Sequence, residues 1–330
     1  MVANLTTRLG QLTSSPAGGP YVGKNRIING NMAIDQRNAG ASVTQDASGT
    51  QYTLDRWLVY GSVASKFTIQ QNAGSITPPA GFSNYIGCTS SSAYAVASTD
   101  TFIIQQCIEG FNTADLNWGT ANAKPVTFSA WVYSSLTGTF GGVINNSAFN
   151  YSYPFSYSIP VANTWTYITI TIAGPTSGTW IGATNGIGMR AEFSLGSGSS
   201  VSGTAGAWTA SGLRSVTGAV SVVGTSGATF YFTGVQLEAG TIATPYEFNQ
   251  YQVQLAQCYR YFTRTAVGGL WNVIGWITSP FPVAMRAAPT VTPAAAFGQS
   301  STPTVGSVTT DFVLINGSTI GFYASCNAEL

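Results

Sequence analysis

The sequence has no histidine among its 330 residues. That absence removes Ser-His-Asp and Cys-His nucleophilic chemistry and every histidine metal site. Charge is also scarce: 12 basic and 11 acidic side chains, 7% of the chain, leave a net charge of +1. With no basic stripe there is no electrostatic footprint for nucleic acid, and none is expected as a partner. No apolar run approaches the roughly 18 residues that span a bilayer, so membrane insertion is not expected either. Met1 to Gly10 lacks the apolar stretch of a secretory signal, which predicts a protein made in the cytoplasm and released by another route, such as lysis. Cys88, Cys107, Cys258 and Cys326 have neither zinc-ribbon nor redox-pair spacing and read as buried thiols. The acids are scattered, with no pair placed as glycoside hydrolysis needs. The chain therefore reads as a binding or structural protein, not an enzyme.

What is plentiful is apolar and small. Hydrophobic residues make up 44% and aromatics 12%, with 38 glycines, enough for a sizeable core joined by many turns. Short alternating runs predict strands at Thr53–Tyr60, Lys66–Gln70, Val126–Tyr133, Trp165–Ile172 and Thr229–Leu237. In Val126–Tyr133, Val126, Phe128, Ala130 and Val132 share one face. In Trp165–Ile172, Thr166, Ile168, Ile170 and Ile172 share one face, with Trp165 and Tyr167 on the other. Many short strands with glycine-rich turns favour a sandwich or jelly roll.

One helix is predicted, over Glu247–Phe262, led in by Thr244-Pro245. Phe248, Tyr251, Leu255, Cys258 and Phe262 recur at spacings of 3, 4, 3 and 4. Such a seam packs either on the chain's own sheet or on copies of itself. Further strands are predicted at Asn272–Ile277 and Phe312–Ile315, an edge strand or bend at Met285–Val291, and a loop over Pro293–Ser307. The fold class is thus all-β: a jelly-roll β-sandwich over 25–246, then one helix and a small C-terminal β module over 247–330. Residues 1–24 stand apart. Leu5, Leu9 and Leu12 allow a turn or two of helix before Ser14–Pro20 breaks it, giving a frayed terminus or a docking peg.

Stacking on sugars needs aromatic rings beside neutral hydrogen-bonding side chains. The densest such stretch holds Asn145, Asn146, Tyr151, Tyr153 and Tyr157, with Trp118 and Trp180 as lesser candidates. The alternative for all of them is core or interface packing. Asp55-Arg56-Trp57 reads as a structural ion pair or turn, since a charge inside a strand needs a partner.

Two resemblances follow from particular stretches. Asn25–Met32, Phe128–Val132, Trp165–Thr171 and Phe230–Glu238 resemble the first, middle and last strands of jelly-roll carbohydrate-binding modules. The order and spacing of Asn25–Gly40, Tyr52–Trp57, Val235–Gly240, Thr244–Glu247, Cys258–Phe262, Phe281–Thr290 and Asn327–Leu330 resemble phage tail-fibre and virion-appendage proteins over nearly the whole chain. The first resemblance implies host-surface polysaccharide as a partner. Modules of that kind often hold a structural calcium, but Met32-Ala33-Ile34 and Thr233-Gly234 stand where the acids would, so no metal or other cofactor is expected. The second implies a virion subunit involved in adsorption and assembled in the host cytoplasm. It also implies a homotrimer closed through Phe248, Tyr251, Leu255 and Phe262, docked on other virion proteins through Leu5, Leu9 and Leu12. Its alternatives are a head decoration, cement or head-fibre protein and, third, a glycan depolymerase.

Overall fold

The computed structural model describes residues 23–46, 51–267, 276–295, 304–316 and 322–330. The sandwich strands are β1 (Val43–Thr44), β2 (Gln51–Leu54), β3 (Trp57–Gly61), β4 (Phe67–Gln71), β5 (Ile86–Ser90), β6 (Thr101–Glu109), β7 (Val126–Ser134), β8 (Gly138–Asn145), β9 (Ser152–Ile159), β10 (Thr166–Ile172) and β11 (Ile187–Ser197). A short parallel pair, β12 (Ser202–Gly203) and β13 (Ser215–Val216), precedes the last sandwich strand, β14 (Thr229–Ala239). The first sheet runs β1-β4-β5-β14-β7-β10 and the second β2-β3-β6-β11-β8-β9. Late strands are laid between early ones: β14 between β5 and β7, and β11 between β6 and β8. The described residues form an all-β jelly-roll sandwich followed by one α-helix and small sheets.

The core between the sheets follows the alternation. Phe128, Ala130 and Val132 of β7 and Ile168 and Ile172 of β10 point inward, while Tyr167, Thr169 and Thr171 face out. Phe193 stacks on Phe232 at 4.4 Å, and Trp57 meets Phe232 edge-on at 5.1 Å. Phe230 and Phe232 face the core, and so do Val235 and Leu237, at the opposite parity. A bulge between Thr233 and Gln236 makes this possible by shifting the register of β14 against β7.

Four expectations are corrected. The run Thr53–Tyr60 is a hairpin, not one strand: β2 ends at Leu54, and Arg56 turns the chain with φ of 71°. That left-handed turn is held from outside the run. Asp55 accepts from the Gln36 backbone and side chain at 2.7 Å each, and the Arg56 side chain is drawn into a buried ion pair with Glu329. The structural reading of Asp55-Arg56 is correct, with a partner almost three hundred residues away.

The stretch Asn25–Met32 is not a strand. It is an irregular strap with left-handed residues at Asn29 and Met32, tied to β14 by Arg26 N–H to Leu237 O and Val235 N–H to Gly30 O. The Asn29 amide bonds Ile34 in both directions and so takes the place of a ladder. The strap lies so close to β14 that a Cβ at Gly30 would sit 2.2 Å from the Val235 carbonyl oxygen.

The helix is shorter than its seam. α1 covers Tyr251–Tyr259 only. Before it, Glu247 is held in extended chain: its N–H donates to Gln236, and its carboxylate accepts from the Gly23 and Asn25 N–H groups. The seam residues consequently part company. Phe248 and Tyr251 are exposed, Leu255 packs on Ile28, Ile34 and Tyr261, and Phe262 is buried at the start of the next strand. They do not form one helical face.

The remaining strands are β15 (Phe262–Val267), β16 (Trp276–Pro280), β17 (Thr290–Ala295), β18 (Thr304–Val308), β19 (Phe312–Asn316) and β20 (Phe322–Asn327). They form two three-stranded sheets, β15-β20-β17 and β16-β19-β18, around Phe281, Met285, Val313, Ile315, Ala324 and Cys326. The predicted loop Pro293–Ser307 therefore contains the end of β17 and most of β18. Pro293 is tolerated because β17 is an edge strand. Residues 272–275 of the predicted strand at Asn272–Ile277, residues 296–303, and Leu5, Leu9 and Leu12 lie outside the described residues.

The last residues return to the sandwich. Glu329 pairs with Arg37 at 3.0 Å and with Arg56, and Tyr52 donates to the Leu330 carbonyl at 2.8 Å. Arg56 lies 3.5 Å over the Tyr261 ring and Arg37 3.8 Å over Phe262. Beside this cluster, burial lifts the Asp55 carboxyl to about 6, against the pull of its Gln36 hydrogen bonds and Arg37. Between about pH 4 and 6 the folded protein then holds a proton that the unfolded chain has released, so this group's contribution to stability falls as pH rises through that window. Urea midpoints from about pH 7 to about pH 5 should show this upward trend on acidification, relative to Asp55→Asn, which lacks the titrating group.

Candidate functional site

The outer face of the first sheet is paved with aromatic rings. Trp131 of β7 stands directly opposite Tyr167 of β10, with ring centroids 5.2 Å apart. One pleat along β7, Tyr133 stands opposite Tyr231 of β14, stacked at 5.3 Å with 4° between planes. Trp165 adjoins Tyr133 at 5.3 Å and Tyr85 at 5.6 Å. Period-two alternation turns Trp131, Tyr133, Tyr167 and Tyr231 away from the core; Tyr231 is buried there with Tyr85 and Ala73, while Trp131 and Tyr133 are half-buried and Tyr167 is exposed.

Beside Trp131 this face becomes a groove of about 400 Å³. Its floor is Ser129, Trp131, Tyr167 and Gly234. Its wall is Phe82 with the Ala243–Tyr246 segment and Phe248, which lead into α1. Phe82 packs on Tyr246 at 5.2 Å and on Phe248 at 5.1 Å. Gly234 sits in the β14 bulge at φ of 61°, and a Cβ there would come within 2.6 Å of the Phe82 ring, so glycine is needed for both backbone and space. The wall is fixed from behind: Glu238 accepts from the Thr244 N–H at 2.8 Å and from its hydroxyl at 2.7 Å, and Lys24 donates to the same hydroxyl. Burial pushes the Tyr246 phenol well up, so it stays neutral. The lining offers flat apolar rings and hydroxyls and no carboxylate.

A second aromatic cluster gathers several of the sequence candidates. Trp208 is its centre, 5.4 Å from Trp118, 5.3 Å from Trp180, 5.2 Å from Tyr153, and stacked on Tyr151 at 5.7 Å. All three indole N–H groups donate to loop carbonyls: Trp118 to Lys124 at 2.8 Å, Trp180 to Ser177 at 3.1 Å and Trp208 to Ala173 at 2.6 Å. Trp118 and Tyr153 are buried, and Tyr151, Trp180 and Trp208 are half-buried. The cluster extends the main core and pins loops to one another.

The other candidates are held inside. Asn146 is buried and shapes the β8–β9 turn by accepting from the Asn150 and Tyr151 N–H groups at 3.1 and 3.2 Å. Asn145 is buried and donates to the Leu213 carbonyl at 3.2 Å. Tyr157 lies in the main core among Phe140, Phe155 and Phe193, which takes it off the candidate surface. The core-packing alternative holds for Tyr153 and Tyr157: β9 is a regular strand with its tyrosines turned inward. The groove residues Trp131, Tyr167, Phe82 and Tyr246 went unselected. The usable signal was the parity of Trp131 and Tyr167, aromatic on strand faces opposite the core-filling residues.

No protein-family model and no curated protein matches the chain. Among solved structures it is similar to the enzymatically active domain of bacteriophage CBA120 tailspike protein 4, with 12% identity over 66% of this chain and a TM-score of 0.35. The match spans 22% of that tailspike chain. It is also similar to a family 11 carbohydrate-binding module of a Clostridium thermocellum cellulosomal cellulase, with 11% identity, 62% of this chain, 99% of that one and a TM-score of 0.29. A third is a family 61 carbohydrate-binding module in complex with β-1,4-galactotriose, with 10% identity, 59% of this chain, 91% of that one and a TM-score of 0.30. Nothing about what those proteins bind or do follows for this chain from identities this low.

Proposed function

We propose that this protein is a non-catalytic bacteriophage virion subunit, a fibre or appendage, that engages host-surface glycan through the groove on the first sheet. The observation that carries the binding half is the Trp131–Tyr167 platform walled by Phe82, Tyr246 and Phe248. Exposed rings on a sheet face are costly to leave in water, and sugar C–H faces stack on such rings while hydroxyls take the surrounding hydrogen bonds. The virion half rests on the motifs of the whole chain that resemble tail-fibre and appendage proteins. In the same reading residues 1–24 anchor the subunit, and three copies assemble, with the exposed Tyr251 and Val253 of α1 available to that contact.

The purified protein should be retarded in native gels that contain a polysaccharide it recognises, and Tyr167→Ala should relieve the retardation. An antibody to the protein should decorate particles in immunogold micrographs. Migration unchanged by every polysaccharide tried would remove the binding role, and unlabelled particles the virion role.

A further inference from the structure

We infer that the groove selects an uncharged glycan. This rests on the glycan-binding reading of the groove and adds the class of its ligand. A carboxylated or sulfated polysaccharide loses hydration when it enters a groove, and a fixed cation or a set of aligned N–H donors must compensate it. The groove lining contains no basic side chain. The charges beside the wall are Lys24 and the buried Glu238, which both engage Thr244, and Glu247, whose carboxylate accepts from the Gly23 and Asn25 N–H groups. One cation against two carboxylates leaves no surplus of positive charge beside the wall for an acidic ligand. The ring faces of Trp131 and Tyr167 present the negative side of an aromatic quadrupole, which repels an anion and accepts a C–H face.

Five arginines among the described residues are held in ion pairs elsewhere. Arg26 pairs with Asp115, Arg37 and Arg56 with Glu329, Arg214 with Glu192, and Arg260 with Glu109. None of these five lines the groove. Uncharged ligand is what remains compatible with rings and hydroxyls alone.

The test compares retardation in native gels by galactomannan, mixed-linkage β-glucan and dextran with retardation by polygalacturonate, alginate and hyaluronate. Binding is expected in the neutral set only. It should be unchanged when NaCl rises from about 0.05 M to about 0.5 M, where screening removes most surface electrostatics. Trp131→Ala and Phe248→Ala should each weaken it about tenfold, corresponding to about 1.4 kcal/mol. Phe248 is exposed and outside any regular element, so its variant keeps the test valid if Trp131→Ala folds poorly. Binding to the acidic set alone, or binding abolished by salt, would overturn the inference and leave glycan binding standing. Neutral binding indifferent to both variants would move the site off the groove and overturn it too. No retardation by either set would remove the glycan reading itself.

Discussion

Replacing Glu329 with alanine should lower the unfolding free energy by about 3–5 kcal/mol, read as a lower urea midpoint at unchanged slope. The Glu329 side chain is 3% exposed, and its partners Arg56 and Arg37 are 1% and 11% exposed. Burial, the largest single influence, would depress the Arg56 pKa, but Glu329 together with Tyr261, Tyr52 and Cys107 outweighs it and the guanidinium is held above its ordinary value. Removing Glu329 leaves that cation inside the protein with the Cys107 carbonyl and the Tyr261 ring face as its remaining company. Breaking a buried pair from one side costs more than the pair contributes, because the surviving charge stays desolvated. Glu329→Gln keeps the shape and an acceptor and should cost less. Asp115→Ala, which breaks the Arg26 pair at a half-exposed partner, should cost under about 1 kcal/mol. Equal losses for Glu329→Ala and Asp115→Ala would show that the carboxyl-terminal contact does not hold the sandwich together as argued. The same cluster joins the carboxyl terminus to β2 and to the Asp55-Arg56 turn, so its loss should also separate unfolding of the C-terminal sheets from that of the sandwich.

The two aromatic clusters should respond oppositely to substitution. The double variant Trp131→Ala/Tyr167→Ala removes the sheet-face platform and should reduce glycan affinity about a hundredfold, or about 2.8 kcal/mol. It should change the melting temperature little, because both rings lie outside the main core. Trp208→Ala should do the reverse. It withdraws the ring that four others pack on and the bond to the Ala173 carbonyl, and should cost about 3 kcal/mol of stability. Glycan affinity measured well below the melting point should stay within twofold or so of the parent, since the groove is built from other elements. Loss of affinity in Trp208→Ala with none in the double variant would transfer the binding site to the tryptophan cluster.

How far each feature could be read in the sequence depends on the range of the interactions that make it. β7 and β10 were legible with their inward and outward faces because period-two alternation is local and burial on one face selects it. The helix was legible as an element and misread in extent. Its apolar spacing continues through Phe248 and Phe262, yet Glu247 is pinned by Gln236, Gly23 and Asn25, and Phe262 is taken into pairing with Asn327. These partners lie outside the run, Gly23 and Asn25 more than two hundred residues away, and outweigh a short stretch of helical propensity. The tyrosines of β9 stay open between surface and core in the sequence for the same reason: nothing within the run says which face its sheet will cover, and the structure buries Tyr153 and Tyr157.

The sequence by itself determined the chemical character of this protein. The absence of histidine excludes histidine-based catalysis, and the excess of aromatic, β-branched and small residues favours many short strands. Alternation then named the inward residues of the central strands. Tertiary structure decided where the aromatics meet. The bulge in β14 and the positive φ of Gly234 make room for Phe82, and the chain leading into α1 returns to wall the groove over Trp131 and Tyr167. It also decided that Arg56 is paired, by bringing Glu329 back from the opposite end of the chain. Pattern along a strand is set by neighbours in sequence. A groove or a buried ion pair is set by which distant segments the closed sandwich brings within a few ångströms, and no local propensity encodes that.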